Sequence, residues 1–347
     1  MNELDQIRSE IFHPNEQLFL KMFQTEWEKQ VSQLYYSQIQ LHIGNRIRPR
    51  LVYWGYCAGT PIEVPEQMYT PIQIAVVIEL IHKASILLDD YIDGDEIRRG
   101  KISFWAEYGE KKTSIFVLSM IGRAIQILNT LSESHNFELN DYFNLMKTLA
   151  NTMENMSLGV LEELDLDESS QFDIQKIQGI IDKETSALLS NSLLFGYYAS
   201  GRYTNETLSH IELIGRKCGF MFQTMNDLEP LCQAAKNIEY KGHLNTDFAS
   251  KRKNIGIAYL YPQLGKREKA ILLKAQEHMD DQTILKIISE HNIIEQILAQ
   301  MESVYLNILE LICTPTFPSI SQAWQEGVSQ LISRLYQLCL NRLQNSS

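Results

Sequence analysis

Apolar residues recur at helical spacing along most of the chain. Between residues 14 and 42, Leu18, Phe19, Met22, Phe23, Trp27, Val31, Leu34 and Tyr35 fall on one stripe, which predicts an amphipathic helix. Turn chemistry follows at Gly44-Asn45, and Arg48-Pro49 opens the next helix, because proline suits a first helical turn. Pro61, Pro65 and Pro71 mark the loop before a long apolar helix that ends in an acidic cluster at Asp93. Gly94 and Gly100 then flag a loop. Further helices are predicted over about 113–131, 140–164, 172–200, 205–228, 256–262, 266–277, 282–313 and 320–344, with Asn140 or Asp141 capping the second of these. Residues 233–254 are the longest stretch without periodicity and are rich in lysine, which suits a lid or binding loop. Strand-like alternation bounded by Asn-Gly or Asp-Gly turns does not occur. The fold class predicted is all-α: one domain over residues 1–347, built as a bundle of roughly ten helices.

Composition changes this picture only at its edges. The most membrane-like stretch, Ser114 to Leu131, carries Arg123 at its centre with Gln126 nearby. A central arginine is costly in a bilayer, so a buried core helix is expected there and no transmembrane segment. The formal charge of −12 argues against nucleic-acid binding and against adhesion to an anionic membrane. A phosphorylated substrate would therefore need local cations. The 5 cysteines are scattered without CxxC spacing, which suits a reducing cytoplasm. The polar start, Met1-Asn2-Glu3-Leu4-Asp5-Gln6, does not read as a secretory leader.

The chemistry concentrates between Ile81 and Gly100. Asp89, Asp90 and Asp93 end an apolar helix, where carboxylates oppose the helix dipole and call for a cationic partner. Asp89 and Asp93 are four residues apart and project together, with His82 two turns earlier on roughly the same face. Arg98-Arg99-Gly100 follows at once. Carboxylates beside arginines suit a divalent metal bridged to phosphate oxygens.

This string, Ile81-His82-x-Ala84-Ser85 then Asp89-Asp90-x-x-Asp93 and Arg98-Arg99-Gly100, resembles the first Asp-rich region of the trans-type polyprenyl (isoprenyl) diphosphate synthases. The resemblance extends from about residue 40 to 262 and implies the isoprenoid-synthase fold, a helical bundle around a central cavity. It implies two to three Mg²⁺ ions held by Asp89, Asp93 and Asp227, with Asp90 and Arg98 in the catalytic set. One of Arg98 and Arg99 would serve an allylic diphosphate and the other the second substrate. Gly44-Asn45-Arg46-Ile47-Arg48-Pro49-Arg50 resembles the family's isopentenyl diphosphate string, so Arg48 and His82 would hold that diphosphate. Asn45 stands where the family has lysine, and Arg46 and Arg50 are the alternative sources of the missing charge. Asp247 to Lys253 resembles a diphosphate-clamping loop with Arg252 in the lysine register.

Other departures are specific. Gly219-x-x-Phe222-Gln223-x-x-Asn226-Asp227-x-x-Pro230 resembles the second Asp-rich motif, with Asn226 and Pro230 in two aspartate positions. Pro230 should kink or end the helix, and Glu229, about 200° round from Asp227, compensates only if a kink redirects it. Thr185 aligns with a substrate-binding threonine, but Glu184 takes the adjoining lysine position. Lys183 replaces that lysine only if a bulge intervenes. Ala84 and Ser85, one turn above Asp89, leave room for a chain longer than farnesyl unless Phe195, Tyr197 or Tyr198 closes the tunnel. The resemblance thus implies a prenyltransferase that condenses an allylic diphosphate with isopentenyl diphosphate, working as a homodimer, with a product of geranylgeranyl length or longer. Two alternatives stay open: the same fold with another acceptor, as in a terpene cyclase or transfer to a non-isoprenoid nucleophile, and a non-catalytic subunit of a heteromeric synthase.

Overall fold

The computed structural model describes residues 14–36, 44–98, 101–133, 138–166, 172–234, 254–278, 280–314 and 322–345. Their elements are α1 (Pro14–Val31), α2 (Ile47–Gly59), α3 (Tyr69–Asp93), a hairpin of β1 (Ile97–Arg98) and β2 (Lys101–Ile102), α4 (Phe104–Tyr108), α5 (Glu110–Ser132), α6 (Leu139–Leu164), α7 (Ile174–Ile181), α8 (Ala187–Ala199), α9 (Asn205–Ala234), α10 (Ile255–Leu260), α11 (Lys266–Glu277), α12 (Asp281–Glu290), α13 (Ile293–Cys313) and α14 (Gln322–Asn345). Among the described residues the fold is all-α apart from that hairpin, paired antiparallel with Ile97 opposite Ile102 and Arg98 opposite Lys101.

α3 is the central helix. From Pro71 to Ile81 it is buried on every side, as expected of a helix apolar all round. It packs on α1, α2, α5 and α8, while α8 lies between α2 and α9. The α2–α8 crossing is close enough that a Cβ on Gly55 would sit 3.1 Å from Leu193 Cα, and one on Gly196 would sit 2.6 Å from Tyr56 N. Only glycine permits backbones to approach so far. Trp324 of α14 donates to the Trp54 carbonyl at 2.6 Å, which ties the last helix to α2. One continuous core joins residues from Phe19 to Leu343, and a small satellite of Ile177, Ile181, Ile255 and Ala258 packs α7 on α10.

Several expectations are corrected. The first helix ends at Val31, short of the 42 predicted; residues 37–43 lie outside the described residues. α2 begins at Ile47, ahead of Pro49, which is tolerated because first-turn amides have no intrahelical partner anyway. α6 starts at Leu139 with Glu138 as its N-cap and no side-chain cap bond, and Asp141 is instead buried, accepting from the Tyr203 hydroxyl at 2.7 Å. The helix expected over 282–313 is two, broken where Asn292 takes a left-handed conformation with φ of 50°. α5 is no fully buried helix: Phe116, Val117, Met120, Ala124 and Leu128 face the core, while Ile115 and Leu118 are exposed. Its Arg123 reaches Gln30 and Gln33 instead of water alone. By length and apolarity both α3, with the preceding turn, and α5 could cross a membrane; the most apolar window is 78% buried in the first and 39% in the second.

Candidate active site

The end of α3 sets out the first group. Gly94 caps the helix in the left-handed region, φ 72°, and accepts no Cβ strain there. The chain turns back so that Asp95 N–H bonds the Asp90 carbonyl at 2.9 Å and Trp105 Nε1 donates to the Asp95 carbonyl at 2.9 Å. These bonds fix the hairpin, and the hairpin delivers Arg98. Arg98 donates to Asp90 and stands 4.0 Å from Asp89. The two aspartates differ sharply: the Asp90 side chain is 3% exposed and the Asp89 side chain 58%. Burial pushes the Asp90 carboxyl up, and the Arg98 charge opposes that shift. Asp90 therefore serves as the anchor of Arg98, while Asp89 is open to a ligand, with Asp93 one turn on and partly exposed. The cation that the acidic helix end required is Arg98. Arg99 and Gly100 lie outside the described residues.

Two turns back along α3 lies the second group. Arg48 Nη1 donates to His82 Nε2 at 3.0 Å, so this ring nitrogen is the acceptor. Burial lowers the Arg48 guanidinium to about 10, with the Glu79 charge resisting. Arg50 is not a spare cation: it pairs with Glu16 at 3.1 Å, and Trp54 Nε1 shares that oxygen at 3.3 Å, which joins α1 to α2. Arg46, held at φ 55°, donates to Gln24 at 2.8 Å. Asn45 is exposed before it. The sequence reading overlooked Glu79 and Lys83, a buried ion pair at 3.2 Å. The signal was present, since two opposite charges four apart inside a run of apolar residues have to pair.

The third group joins the turn before α8 to α9. Between α7 and α8 the helix widens into a π turn over Asp182–Ser186. This is the bulge on which the Lys183 reading depended. It sets both Lys183 and Glu184 against α6: a Cβ on Gly159 would meet Glu184 Cγ at 2.7 Å and Lys183 Cβ at 3.0 Å. Lys183 then bonds Glu162 of α6. Thr185 takes a different course, donating to Gln223 Oε1 at 2.9 Å, and Gln223 Nε2 donates to Asp227 Oδ1 at 2.7 Å. Close packing of α9 on the π turn explains why a glycine sits at 219: a Cβ there would be 3.0 Å from the Ser186 Cβ and closer still to its Cα. Pro230 does not end α9, which runs on to Ala234, so Glu229 stays on its own face of a continuing helix. One proline near a helix end forfeits a single backbone bond. Arg252 lies outside the described residues.

Of the residues proposed as tunnel walls, Phe195 and Tyr197 are packed into the core, and Tyr198 stacks edge-on to Tyr203 at 5.0 Å. Ala84 is buried, and the Ser85 hydroxyl donates to the His82 carbonyl at 2.9 Å. A separate concavity of about 580 Å³ lies beside the hairpin, lined by Glu96, Ile97, Ile102, Trp105, Ala106, Gly109 and Glu110. No predicted site residue lines it.

The donor chemistry fits Mg²⁺. Among the described residues no three His, Cys, Asp or Glu side chains come together as a metal-holding group, so protein ligands beyond a carboxylate pair are not supplied there. The pair Asp89 and Asp93 at one helix end suits a hard cation that takes one or two carboxylates and completes its shell with phosphate oxygens and water.

Comparison with known proteins decides the family. The polyprenyl synthetase family matches residues 29–290. The chain belongs to the polyprenyl synthetase family. It is similar to a farnesyl diphosphate synthase of Buchnera aphidicola, 29% identical over 232 residues that make up 63% of this chain and 76% of that protein. It is also similar to a hexaprenyl pyrophosphate synthase of Saccharolobus solfataricus, 24% identical over 207 residues, 60% of this chain and 64% of that one. The fold matches the crystal structure of a geranylgeranyl pyrophosphate synthetase from Pyrococcus horikoshii, with TM-score 0.75 and 18% identity over 94% of this chain and 99% of that one. The chain is accordingly a trans-prenyltransferase of the isoprenoid-synthase fold.

Proposed function

We propose that this polyprenyl synthetase ionises an allylic diphosphate and joins the allylic carbon to isopentenyl diphosphate. The observation that carries this reading is that one helix bears both halves of the chemistry. His82, bonded to Arg48, and Asp89, beside Arg98, are seven residues apart on α3, a rise of about 10 Å. That separation suits two diphosphates whose prenyl carbons meet between them.

Asp89 and Asp93 would hold Mg²⁺, and the family resemblance adds Asp227 of α9 as a further ligand. The metal, when bound, supplies charge compensation for the departing diphosphate. Arg98 donates to the leaving oxygens, exchanging part of its bond to Asp90 for one to substrate. Arg48 and His82 fix the acceptor diphosphate, so that the isopentenyl double bond faces the cationic carbon. The allylic carbon–oxygen bond breaks, a carbon–carbon bond forms, and a proton leaves to the released diphosphate. Thr185 and Gln223 orient Asp227 by the relay of hydrogen bonds. Ala84 and Ser85 leave the wall above Asp89 low, which supports a product of geranylgeranyl length or longer. A second copy of the chain would cover the apolar residues exposed on α5 and α6, among them Ile115, Leu118, Leu139, Phe143, Leu161 and Leu164.

A second reading, ionisation with another acceptor, is favoured by Asn45 and Glu184, which stand where the family has lysines. The test incubates the protein and Mg²⁺ with geranyl, farnesyl or geranylgeranyl diphosphate, with and without isopentenyl diphosphate, and reads products by mass spectrometry. Lengthening only with isopentenyl diphosphate supports the proposal, and Asp89→Ala should abolish it. Diphosphate release with a hydrocarbon product in its absence refutes the proposal in favour of the second reading. No turnover at any length points to a non-catalytic subunit.

A further inference from the structure

The acceptor side carries a charge arrangement that the family string leaves unspecified. Glu79 is 2% exposed, and cations surround it. Lys83 Nζ lies 3.2 Å from its Oε1. Arg48 and Arg46 are near enough to act on its charge, but Lys83 opposes the upward push of burial most strongly. Lys83 thus carries the direct ion pair. Arg48, part-buried, gives Nη1 to His82, and its buried Nε has no hydrogen-bond partner. A guanidinium beside a buried carboxylate ordinarily binds it bidentately; here an ammonium has taken that place. Lys83 occupies the variable position in Ile81-His82-x-Ala84-Ser85. α2, which carries Arg48, also begins without a side-chain cap.

We propose that Lys83 is a positioning residue that neutralises Glu79 and so keeps the Arg48 guanidinium available to the acceptor diphosphate. This rests on the reading of Arg48 and His82 as the isopentenyl diphosphate site. A buried carboxylate stripped of its partner is strongly unfavourable. Without Lys83, Glu79 recruits Arg48, and the guanidinium is spent inside the protein.

Calorimetry with isopentenyl diphosphate in EDTA, so that no metal bridges ligand to the aspartates, tests this on the native chain, K83M, E79Q and E79Q/K83M. K83M should bind about tenfold more weakly, and E79Q/K83M should return to within about threefold of native because no carboxylate is left to claim Arg48. E79Q alone should bind at least as tightly as native, which keeps the test decisive if K83M does not fold. A double variant as weak as K83M, a K83M equal to native, or a weakened E79Q would each overturn the proposal. The Arg48 Nε–H signal, followed by NMR without ligand, should move in K83M and return in E79Q/K83M. If that pattern holds while the native chain fails to bind isopentenyl diphosphate, the acceptor reading falls and the charge arrangement stands. If the signal does not move in K83M, the arrangement falls whatever binds.

Discussion

Gly219→Ala isolates the contact between α9 and the π turn. The added Cβ would lie 3.0 Å from the Ser186 side-chain carbon and nearer still to Ser186 Cα, against about 3.5–4.0 Å for carbon atoms at rest. Ser186 is fully buried, so the clash cannot be relieved by swinging a side chain into solvent. α9 must retreat by roughly 1 Å, an overpacking cost of about 1–3 kcal/mol. The retreat also lengthens the Thr185–Gln223–Asp227 relay, whose links are now 2.9 and 2.7 Å. A misplacement of about 1 Å in a positioned group can cost roughly a hundredfold in rate. Diphosphate release from an allylic substrate and a thermal melt would be measured together. Gly179→Ala serves as control, because nothing lies within 4 Å of its added methyl; there alanine should stabilise α7 by up to about 1 kcal/mol. A Gly219→Ala enzyme with native melting temperature and native turnover would refute the packing argument.

Asn226→Asp should preserve or raise elongation by restoring a carboxylate beside Asp227, and a loss of turnover would show that the second motif serves other chemistry. Glu268 caps α11 through the Gly265 amide at 2.8 Å and accepts from His291 at 3.1 Å, and these contacts hold its carboxyl below the ordinary 4.5. A depressed carboxyl contributes stability above 4.5 that is lost as pH falls through its lower folded value; Glu268→Gln should therefore flatten the acid limb of the stability curve seen by denaturant melts. Leu118→Glu with Phe143→Glu should convert a dimer to a monomer in sedimentation, and an unchanged mass would remove α5 and α6 as the interface.

Helix positions were legible because burial repeats every turn, and α6, α9 and α11 begin within a residue or so of where the periodicity places them. Departures arose where the deciding force was non-local or lacked a compositional mark. Nothing in Asp182-Lys-Glu-Thr-Ser186 announces a π turn, since the same residues suit an α-helix. The apolar period runs unbroken across His291-Asn292, so only the left-handed Asn292 betrays the break. The hairpin carrying Arg98 is two residues a side, too short for alternation to register. In the site, local spacing exposed Asp89 and Asp93 as one-face neighbours, whereas the division of labour between Asp89 and Asp90 needed the fold, which buries one and opens the other. Arg50 looked like a candidate for substrate because its partner, Glu16, is 34 residues away.

The wide turn at Asp182–Ser186 bears on how this chain is aligned with its relatives. A gapless alignment anchored on α8 assigns Glu184 to the family's lysine column, and one anchored on α7 can assign Lys183. Both side chains press on Gly159, so the column has two occupants of opposite charge. The extra residue of the turn lets either side chain stand in that column, and Lys183 directs its charge to Glu162 of α6.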